Sequence, residues 1–388
     1  MKKVLIIAQG GLNRGGIQTV IMNYLRCLHN TYSFDIVVFS KDKRDYDEEF
    51  LSYGGQIFRM YYGGGSSRLG KQREKFLRFT KGYFYLKKIL KDRGPYDVVH
   101  CHNGIESTFA LKAAKKMNVP VRISQAHVIF DDHNNNYFFR VKNDFLKKII
   151  NKNATHQIGC SKLACDSSFF GSYFIIKNPF DSIVFSQTDY DENSFSCPVL
   201  IQVGNISNLK NQLYSAKILY HIVKRYKNAR LIFVGKAYGG YDLLLNDYIE
   251  SNSLKGNVEF HSATSNIPLL MSQACYLVQP SRTESFAIVL VEAQSMGLRC
   301  FASDVIPQEA NAGGVRYLSI EDDPCIWANS IMHDFEQSGG CREHYDCSDY
   351  KAETISFEID KIYNSKSNFN RNTFSYITIW KNYKYKCT

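Results

Sequence analysis

The sequence predicts an α/β protein made of two domains, each with a mostly parallel sheet. Three observations support this class. The chain has 388 residues, which is more than one hydrophobic core usually organises. Short β-branched runs alternate with amphipathic segments along most of the chain, as expected for strands joined by crossover helices. The same pattern begins again after a polar segment in the middle of the chain.

The predicted strands of the first half share an apolar, β-branched centre and a polar or glycine residue soon afterwards. They are Lys3–Ala8, Phe34–Phe39, Gln56–Met60, Asp97–His102, Val121–Gln125, His156–Cys160 and Phe174–Lys177. In the second half they are Val199–Val203, Arg230–Val234, Asn257–Phe260, Ala274–Gln279, Leu298–Ala302 and Val315–Leu318. Between the latter we expect helices over Asn211–Tyr226, Tyr241–Asn252, Ile267–Gln273 and Ser285–Met296.

The domain boundary is predicted in residues 181–198, which are polar and lie between two prolines, Pro179 and Pro198. We therefore expect an N-terminal domain over residues 1–180, a linker over 181–198 and a C-terminal domain over 199–363. Residues 364–388 form a basic, aromatic tail, which we expect to pack on the N-terminal domain or on a membrane.

The net charge of +11 is unevenly distributed. Lys and Arg predominate in residues 1–180, Asp and Glu predominate in 181–363, and the tail has no acidic residue. A basic domain indicates a polyanionic partner, although a solvated basic face without a partner remains an alternative. Aromatic and basic residues together in the tail favour an anionic membrane surface. No nucleic-acid-binding motif is present, so we expect no nucleic-acid partner.

The segment Lys71–Lys91 carries apolar residues at helical spacing among many basic ones. It is either a crossover helix whose apolar stripe enters the core or a helix that lies on a membrane. No apolar stretch approaches the roughly 20 residues that span a bilayer. The 11 cysteines follow neither a disulfide framework nor zinc spacing. We expect a cytoplasmic protein, peripheral on the inner face of the plasma membrane, with no metal.

Chemistry is predicted most clearly by the segment Gln279–Cys300. It contains Glu284 and Glu292, with seven residues between them. Glu284 stands where a strand ends, and Glu292 follows an apolar run in which a carboxylate costs several kcal/mol unless it is satisfied. A strand end followed by a helix forms the usual ligand crevice of an open α/β sheet. N–H groups of Ser285 and Phe286 at the helix start would suit a phosphate. Spacing alone, however, favours two ordinary helix residues.

A second candidate site follows the first predicted strand, where Gly15 and Gly16 precede an amphipathic run. Paired glycines before a helix let backbone N–H groups approach a phosphate closely. The dinucleotide-binding pattern G-x-G-x-x-G is absent from this part of the chain.

These segments together resemble the retaining family-4 glycosyltransferases that build bacterial exopolysaccharides and O-antigens. The stretch TESFAIVLVEAQSMGLRCFASDV is similar to their E-x7-E signature. Further segments resemble the family in the same order along the chain: Gly15–Thr19, Asp97–His102, Arg122–His127, Gly159–Ala164, Ile176–Asp181 and Val203–Gln212. The resemblance covers residues 1 to about 363.

The resemblance implies the GT-B fold, in which two Rossmann-like domains with mostly parallel sheets face each other across a cleft. It implies a nucleotide-sugar donor, UDP- or GDP-linked, bound mainly by the C-terminal domain, with the acceptor bound mainly by the N-terminal domain. The implied acceptor is a polyprenyl-diphosphate-linked oligosaccharide in surface polysaccharide synthesis. No cofactor or metal is expected.

The resemblance also implies roles for individual residues. Glu284, beside the donor sugar, and His127 would be catalytic. Glu292 would hold the ribose hydroxyls, and Lys210 would neutralise the leaving diphosphate. The full set of expected donor-binding residues is Gly15, Gly16, Asn205, Lys210, Ser285, Phe286 and Glu292. His102 and Gln125 would lie on the acceptor side.

Two positions depart from the family pattern. Asn205 stands where the family has Arg, and Gln125 stands where it has His. Arg282 or Arg14 is a candidate for the missing cation. Two alternatives therefore stay open: a degenerate, non-catalytic GT-B module that binds a glycan or a partner enzyme, and a nucleotide-sugar 2-epimerase. The E-x7-E segment with its EAQ continuation favours transfer.

Overall fold

Seven parallel strands form the sheet of the first unit, which comprises the described residues of the ranges 1–176 and 355–365. Our computed structural model describes residues 1–8, 10–63, 67–130, 137–186, 195–262 and 266–365. The strands are β1 (Lys2–Ile7), β2 (Tyr32–Val38), β3 (Ile57–Arg59), β4 (Val98–Cys101), β5 (Val121–Ala126), β6 (His156–Gly159) and β7 (Phe174–Ile175). Their order is β3-β2-β1-β4-β5-β6-β7, so the direction of strand addition reverses between β1 and β4.

Six parallel strands form the sheet of the second unit, residues 177–354. They are β8 (Val199–Val203), β9 (Arg230–Val234), β10 (Val258–His261), β11 (Tyr276–Gln279), β12 (Arg299–Ser303) and β13 (Val315–Leu318). The order β10-β9-β8-β11-β12-β13 reverses between β8 and β11. Ligands of open α/β sheets bind outside the carboxyl ends of the strands at such a reversal.

Helices connect the strands in both units. They are α1 (Gly16–Leu28), α2 (Asp47–Ser52), α3 (Arg68–Asp92), α4 (Thr108–Lys116), α5 (Tyr137–Asn153), α6 (Lys162–Ser168), α7 (Ser182–Ser186), α8 (Gln212–Val223), α9 (Tyr241–Ser251), α10 (Ile267–Ser272), α11 (Ile288–Ser295), α12 (Pro324–Ser338) and α13 (Ala352–Tyr363). Short 3₁₀ turns occur at Gly104–Ser107, Lys255–Asn257, Gln308–Ala310 and Ser348–Tyr350. Every strand predicted from the sequence is present, and the predicted α/β class is confirmed.

The last helix, α13, belongs to the first unit for most of its length, although the sequence suggested that the C-terminal domain extends to residue 363. Its apolar side chains Ile355, Ile359 and Ile362 lie in the core of the first unit. The Tyr32 hydroxyl donates a hydrogen bond to Asp360 of the same helix at 2.6 Å. Burial of this apolar face explains the different division of the chain. Residues 187–194 of the expected linker and 366–388 of the expected tail lie outside the described residues.

Helix α3 contains both faces that the sequence suggested for Lys71–Lys91. Leu86 and Leu90 are buried, and the Phe79 ring meets Phe109 edge-on with ring centroids 5.9 Å apart. Phe76 and Phe84 are 67% and 69% exposed on the other face. One face therefore packs as expected for a crossover helix, and the exposed aromatic face remains available for contact with a membrane. Within the described ranges, no helix has the combination of length and apolar character needed to cross a membrane.

Candidate functional site

Two of the predicted donor-site residues meet at the point where the second sheet reverses. Lys210 lies in the loop after β8, and Glu284 lies in the loop after β11, the neighbouring strand. The Lys210 ammonium forms an ion pair with Oε1 of Glu284. The Lys210 side chain is 28% exposed and that of Glu284 is 11% exposed, so solvent screens the pair only in part. The structure thus brings together two charges of opposite sign where a ligand is expected.

Polar side chains of the β11 loop hold the Glu284 carboxylate in place. Ser281 Oγ donates to Oε1 at 2.9 Å, and Gln279 Nε2 donates to the same oxygen at 3.2 Å. Gln279 also donates to Ser281 Oγ at 2.9 Å. Within the part of the chain that the structure describes, Oε2 receives no hydrogen bond. One oxygen is therefore fixed by the protein, and the other is left for a ligand.

A buried glutamine, Gln202, fixes the backbone of Lys210. Gln202 Nε2 donates to the Lys210 carbonyl at 2.7 Å, while Ser215 Oγ donates to Gln202 Oε1 at 2.7 Å. The loops after β8 and β9 also touch closely: a Cβ on Gly235 would lie 2.1 Å from the Gly204 carbonyl oxygen. Only glycine fits there, and the loop that holds Lys210 is correspondingly well supported.

Asn205, which replaces an arginine of the family pattern, is exposed, and its carbonyl accepts from Gln212 Nε2 at 3.0 Å. Arg282 is one of the two candidates for the missing cation. Its backbone N–H donates to the Leu209 carbonyl at 2.8 Å, which places Arg282 beside Lys210. Arg14 belongs to the first unit, where its guanidinium lies over the Tyr46 ring at 5.8 Å. The local geometry of the second unit therefore favours Arg282.

The helix after Glu284 begins later than the sequence predicted. Ala287 has a left-handed backbone (φ 63°), which is incompatible with a helix interior, so α11 starts at Ile288. Ser285 and Phe286 therefore precede the helix rather than form its first turn, and Phe286 is buried. The first N–H groups of the helix are those of Ile288 and Val289. This corrects the predicted boundary of Ser285–Met296.

Glu292 lies on α11, partly exposed, and α11 packs against α7. Loss of hydration raises the pKa of the Glu292 carboxyl to about 7, and the negative charge of Asp181, just before α7, acts in the same direction. No described residue donates a hydrogen bond to the Glu292 side chain. Ionisation of this carboxyl is therefore costly, and the described residues supply no donor that would offset the cost.

The first unit places His102 and His127 together at the carboxyl ends of β4 and β5. His102 Nδ1 lies 2.9 Å from His127 Nε2, and the two rings stack with an interplanar angle of 11°. Both are buried, at 1% and 4% exposure. Burial, together with the nearby rings of His100 and His127, lowers the pKa of His102 well below its usual range. This ring is therefore neutral at physiological pH.

Gln125 is also in this cluster, but its amide is fully engaged inside the protein. Its Oε1 accepts from His100 Nε2 at 2.9 Å, and its Nε2 donates to the Tyr24 hydroxyl at 3.2 Å. The residue has no measurable exposure. Because the side chain is fully buried, a direct contact with an acceptor would require the surrounding residues to move.

Gly15 and Gly16 lie at the start of α1, after β1, and β1 neighbours β4 in the sheet. Gly15 caps the helix without a side-chain hydrogen bond, and a Cβ on Gly16 would meet nothing within 4 Å. The Gly15 N–H donates to the Asn13 carbonyl at 2.8 Å, and the Gln18 side chain lies against Gly15, where a Cβ would meet its Oε1 at 2.7 Å, so a phosphate would have to displace these contacts to reach Gly15. The glycines and His102 share the edge at which the first sheet reverses.

Several residues of the two sites were not predicted as such: Gln202, Gln279, Ser281, Asp181, His100, Tyr24 and Tyr363. A polar residue inside an apolar strand was the available signal for Gln202 and Gln279, since such a residue is seldom buried without a structural partner. Tyr363 gave no signal, because 263 positions separate it from His100.

Models of two glycosyltransferase families match the chain, one in each half. The model described as Glycosyltransferase Family 4 matches residues 14–166, which include the glycine pair and the histidine cluster. The model described as Glycosyl transferases group 1 matches residues 192–312, which include Lys210, Glu284 and Glu292.

Known proteins resemble the chain over most of its length. EpsF, a candidate glycosyltransferase of Bacillus subtilis (strain 168), is 28% identical over 347 residues, which are 85% of this chain and 87% of EpsF. The GDP-mannose:cellobiosyl-diphosphopolyprenol alpha-mannosyltransferase of Xanthomonas campestris is 25% identical over 329 residues, or 79% of this chain and 80% of that protein.

Among solved structures, Anabaena Alr3699/HepE in complex with UDP and glucose matches with a TM-score of 0.72 at 17% identity, covering 94% of this chain and 100% of that one. An identity this low shows the fold alone, whereas the two family models and the two relatives bear on the activity. The chain therefore combines a segment similar to Glycosyltransferase Family 4 with one similar to Glycosyl transferases group 1, and it is a nucleotide-sugar-dependent glycosyltransferase of polysaccharide biosynthesis with the GT-B fold.

Proposed function

We propose that the enzyme transfers a hexose, with retention of anomeric configuration, from a UDP- or GDP-sugar to a polyprenyl-diphosphate-linked oligosaccharide. The reaction belongs to bacterial surface polysaccharide synthesis at the cytoplasmic face of the plasma membrane. The observation that carries the proposal is the ion pair between Lys210 and Glu284 at the reversal of the second sheet. It supplies a cation for a diphosphate and a carboxylate for a sugar in one place.

Lys210 and Arg282 are proposed to neutralise the diphosphate of the donor. Negative charge grows on the departing nucleoside diphosphate during transfer, so cations that are already in position lower the barrier. The buried Gln202 beneath Lys210 reduces the reorganisation that binding would otherwise require. Two protein cations can carry the charge in this way, and we therefore propose that the reaction needs no metal or cofactor.

Glu284 is proposed to act beside the donor sugar through Oε2, the oxygen that the described residues leave without a hydrogen bond. The bond from the anomeric carbon to the phosphate oxygen breaks, and the acceptor oxygen forms its bond on the same face. The departing phosphate oxygen takes the proton of the acceptor hydroxyl. A carboxylate near the anomeric carbon stabilises the positive charge that develops there.

Glu292 is proposed to bind the ribose hydroxyls, which would supply the hydrogen-bond donors that the described residues do not provide to this carboxyl group. The base stays open between uracil and guanine. The Xanthomonas relative is named for GDP-mannose, and the Anabaena structure contains UDP, so both bases have a precedent among similar proteins.

The acceptor is proposed to be lipid-linked and to approach the first unit, where His102 and His127 lie. The Xanthomonas relative is named for a diphosphopolyprenol acceptor, which supports this substrate class. Helix α5 presents an exposed stripe of Tyr137, Phe138, Val141 and Phe145, at 73%, 81%, 50% and 62% exposure. Aromatic side chains beside lysines favour an anionic lipid interface. We propose that this stripe and the basic tail after Ser365 contact the membrane.

The first prediction concerns Glu284. The substitution Glu284→Gln keeps the shape of the side chain but removes its charge, so we expect turnover to fall by about 10²-fold while donor affinity changes far less. Release of UDP from UDP-glucose or of GDP from GDP-mannose, with a lipid-linked acceptor extract, measures turnover, and calorimetry measures binding. Glu259→Gln, a carboxylate paired with Arg230 elsewhere in the same unit, is the matched control. Equal turnover of E284Q and the control would remove Glu284 from the mechanism.

The second prediction concerns pH. An ionised carboxylate accepts hydrogen bonds from ribose better than a protonated one, and the Glu292 pKa is about 7. Affinity for the nucleotide sugar should therefore rise as pH increases through that value, by up to about tenfold between about pH 6 and pH 8. Calorimetric titration with UDP-glucose and GDP-mannose measures it. Glu292→Gln should bind more weakly and without this slope, and an unchanged slope in that variant contradicts the ribose assignment.

The third prediction concerns the membrane. Replacing Phe138 and Phe145 together by Ser removes two exposed rings from α5 and should reduce sedimentation with phosphatidylglycerol vesicles several-fold. Phe357→Ser on α13 is the matched control, because this ring is also exposed, at 60%, and lies on another helix. Equal sedimentation of the double variant and the control would show that α5 does not contact lipid.

A further inference from the structure

A chain of four buried side chains runs beside the His102–His127 pair. The Tyr363 hydroxyl lies 2.9 Å from His100 Nδ1, His100 Nε2 lies 2.9 Å from Gln125 Oε1, and Gln125 Nε2 donates to Tyr24. All four are at most 1% exposed. Tyr363 ends the last helix, so residues from opposite ends of the sequence complete this chain of hydrogen bonds.

These hydrogen bonds determine which ring nitrogen of His100 carries the hydrogen. Gln125 Oε1 can only accept a hydrogen bond, so His100 Nε2 must carry the hydrogen. The ring is neutral, since burial and the neighbouring His127 lower the pKa of His100 to about 3. Its Nδ1 is therefore bare and accepts from the Tyr363 hydroxyl. Both nitrogens of His100 are then occupied, and neither can serve a ligand.

His100 is in contact with the pair that is proposed to meet the acceptor. Its ring stacks on that of His102 with centroids 4.1 Å apart. His102 Nδ1 is bonded to His127, and His102 Nε2 is buried without a hydrogen-bond partner among the described residues. A buried polar atom without a partner is costly. His102 Nε2 is therefore the atom of this cluster that would gain a hydrogen bond from a ligand hydroxyl.

We propose that Gln125 and Tyr363 are positioning residues for the acceptor side of the enzyme. They hold His100 in a single tautomer with both ring nitrogens engaged, so that only the His102–His127 pair forms a hydrogen bond with a sugar hydroxyl, at His102 Nε2. This inference rests on the proposed function, because that function gives the pair a sugar hydroxyl to bind. It also gives Gln125 a role in the site that needs no contact with substrate.

Nitrogen-15 NMR of the imidazole rings tests the inference on the full-length protein without substrate, so an incorrect reaction assignment would not affect it. In the wild type we expect His100 in the neutral form with hydrogen on Nε2. Tyr363→Phe leaves the hydrogen on Nε2, facing Gln125, but removes the donor to Nδ1, so the Nδ1 signal of His100 should move towards that of a nitrogen without a hydrogen bond, with shifted signals for His102 and His127. A wild-type His100 with hydrogen on Nδ1, or three unchanged rings in Y363F, would overturn the inference.

Tyr32→Phe is the matched control. The Tyr32 hydroxyl also anchors α13, through Asp360, but does not touch the histidines. If Tyr363 acts by positioning, Y363F should lower kcat about tenfold with unchanged KM for the nucleotide sugar, while Y32F keeps the wild-type kcat and ring spectra. If Tyr363 only anchors the helix, the two variants will lose stability and activity equally. That result would contradict the proposal.

Discussion

The ion pair between Lys210 and Glu284 joins the two loops at which the second sheet reverses, and the proposed donor site depends on it. Each partner stabilises the other. A carboxylate that is 11% exposed is costly without a cation, and without Glu284 the Lys210 side chain would turn towards solvent. Ser281 and Gln279 fix one carboxylate oxygen, and Gln202 fixes the lysine backbone. The charges are thus placed before any substrate arrives, which is the condition under which electrostatic stabilisation is effective.

The two units hold their reactive groups by different means. The second unit uses full charges, with Lys210, Arg282, Glu284 and Glu292 around one sheet reversal. The first unit uses neutral rings, because burial keeps His100 and His102 uncharged. A charged environment suits a nucleoside diphosphate, and a neutral one suits the hydroxyl groups of a sugar acceptor. This difference between the units matches the charge distribution of the sequence only in part, because Lys210 and Arg282, the cations proposed to bind the diphosphate, lie in the acidic half.

Strands and the position of Glu284 could be predicted from the sequence because both depend on local pattern. A β-branched run makes a strand in either unit, and a polar residue after it marks the ligand edge. The start of α11 could not be predicted, because the left-handed backbone of Ala287 leaves no trace in residue type. The contact of Tyr363 with His100 depends on tertiary packing of α13. The sequence predicted Gln125 on the acceptor side, and only the structure shows that both ends of its amide are engaged inside the protein.

The proposed donor site depends most directly on Lys210 as the residue that binds the diphosphate. Titration of UDP, GDP, UMP and GMP into the wild type and into Lys210→Met measures this. We expect at least one diphosphate to bind the wild type about tenfold more tightly than its monophosphate, and we expect this preference to disappear in the variant. Failure of both diphosphates to bind the wild type, or an equal preference in the variant, would contradict the account.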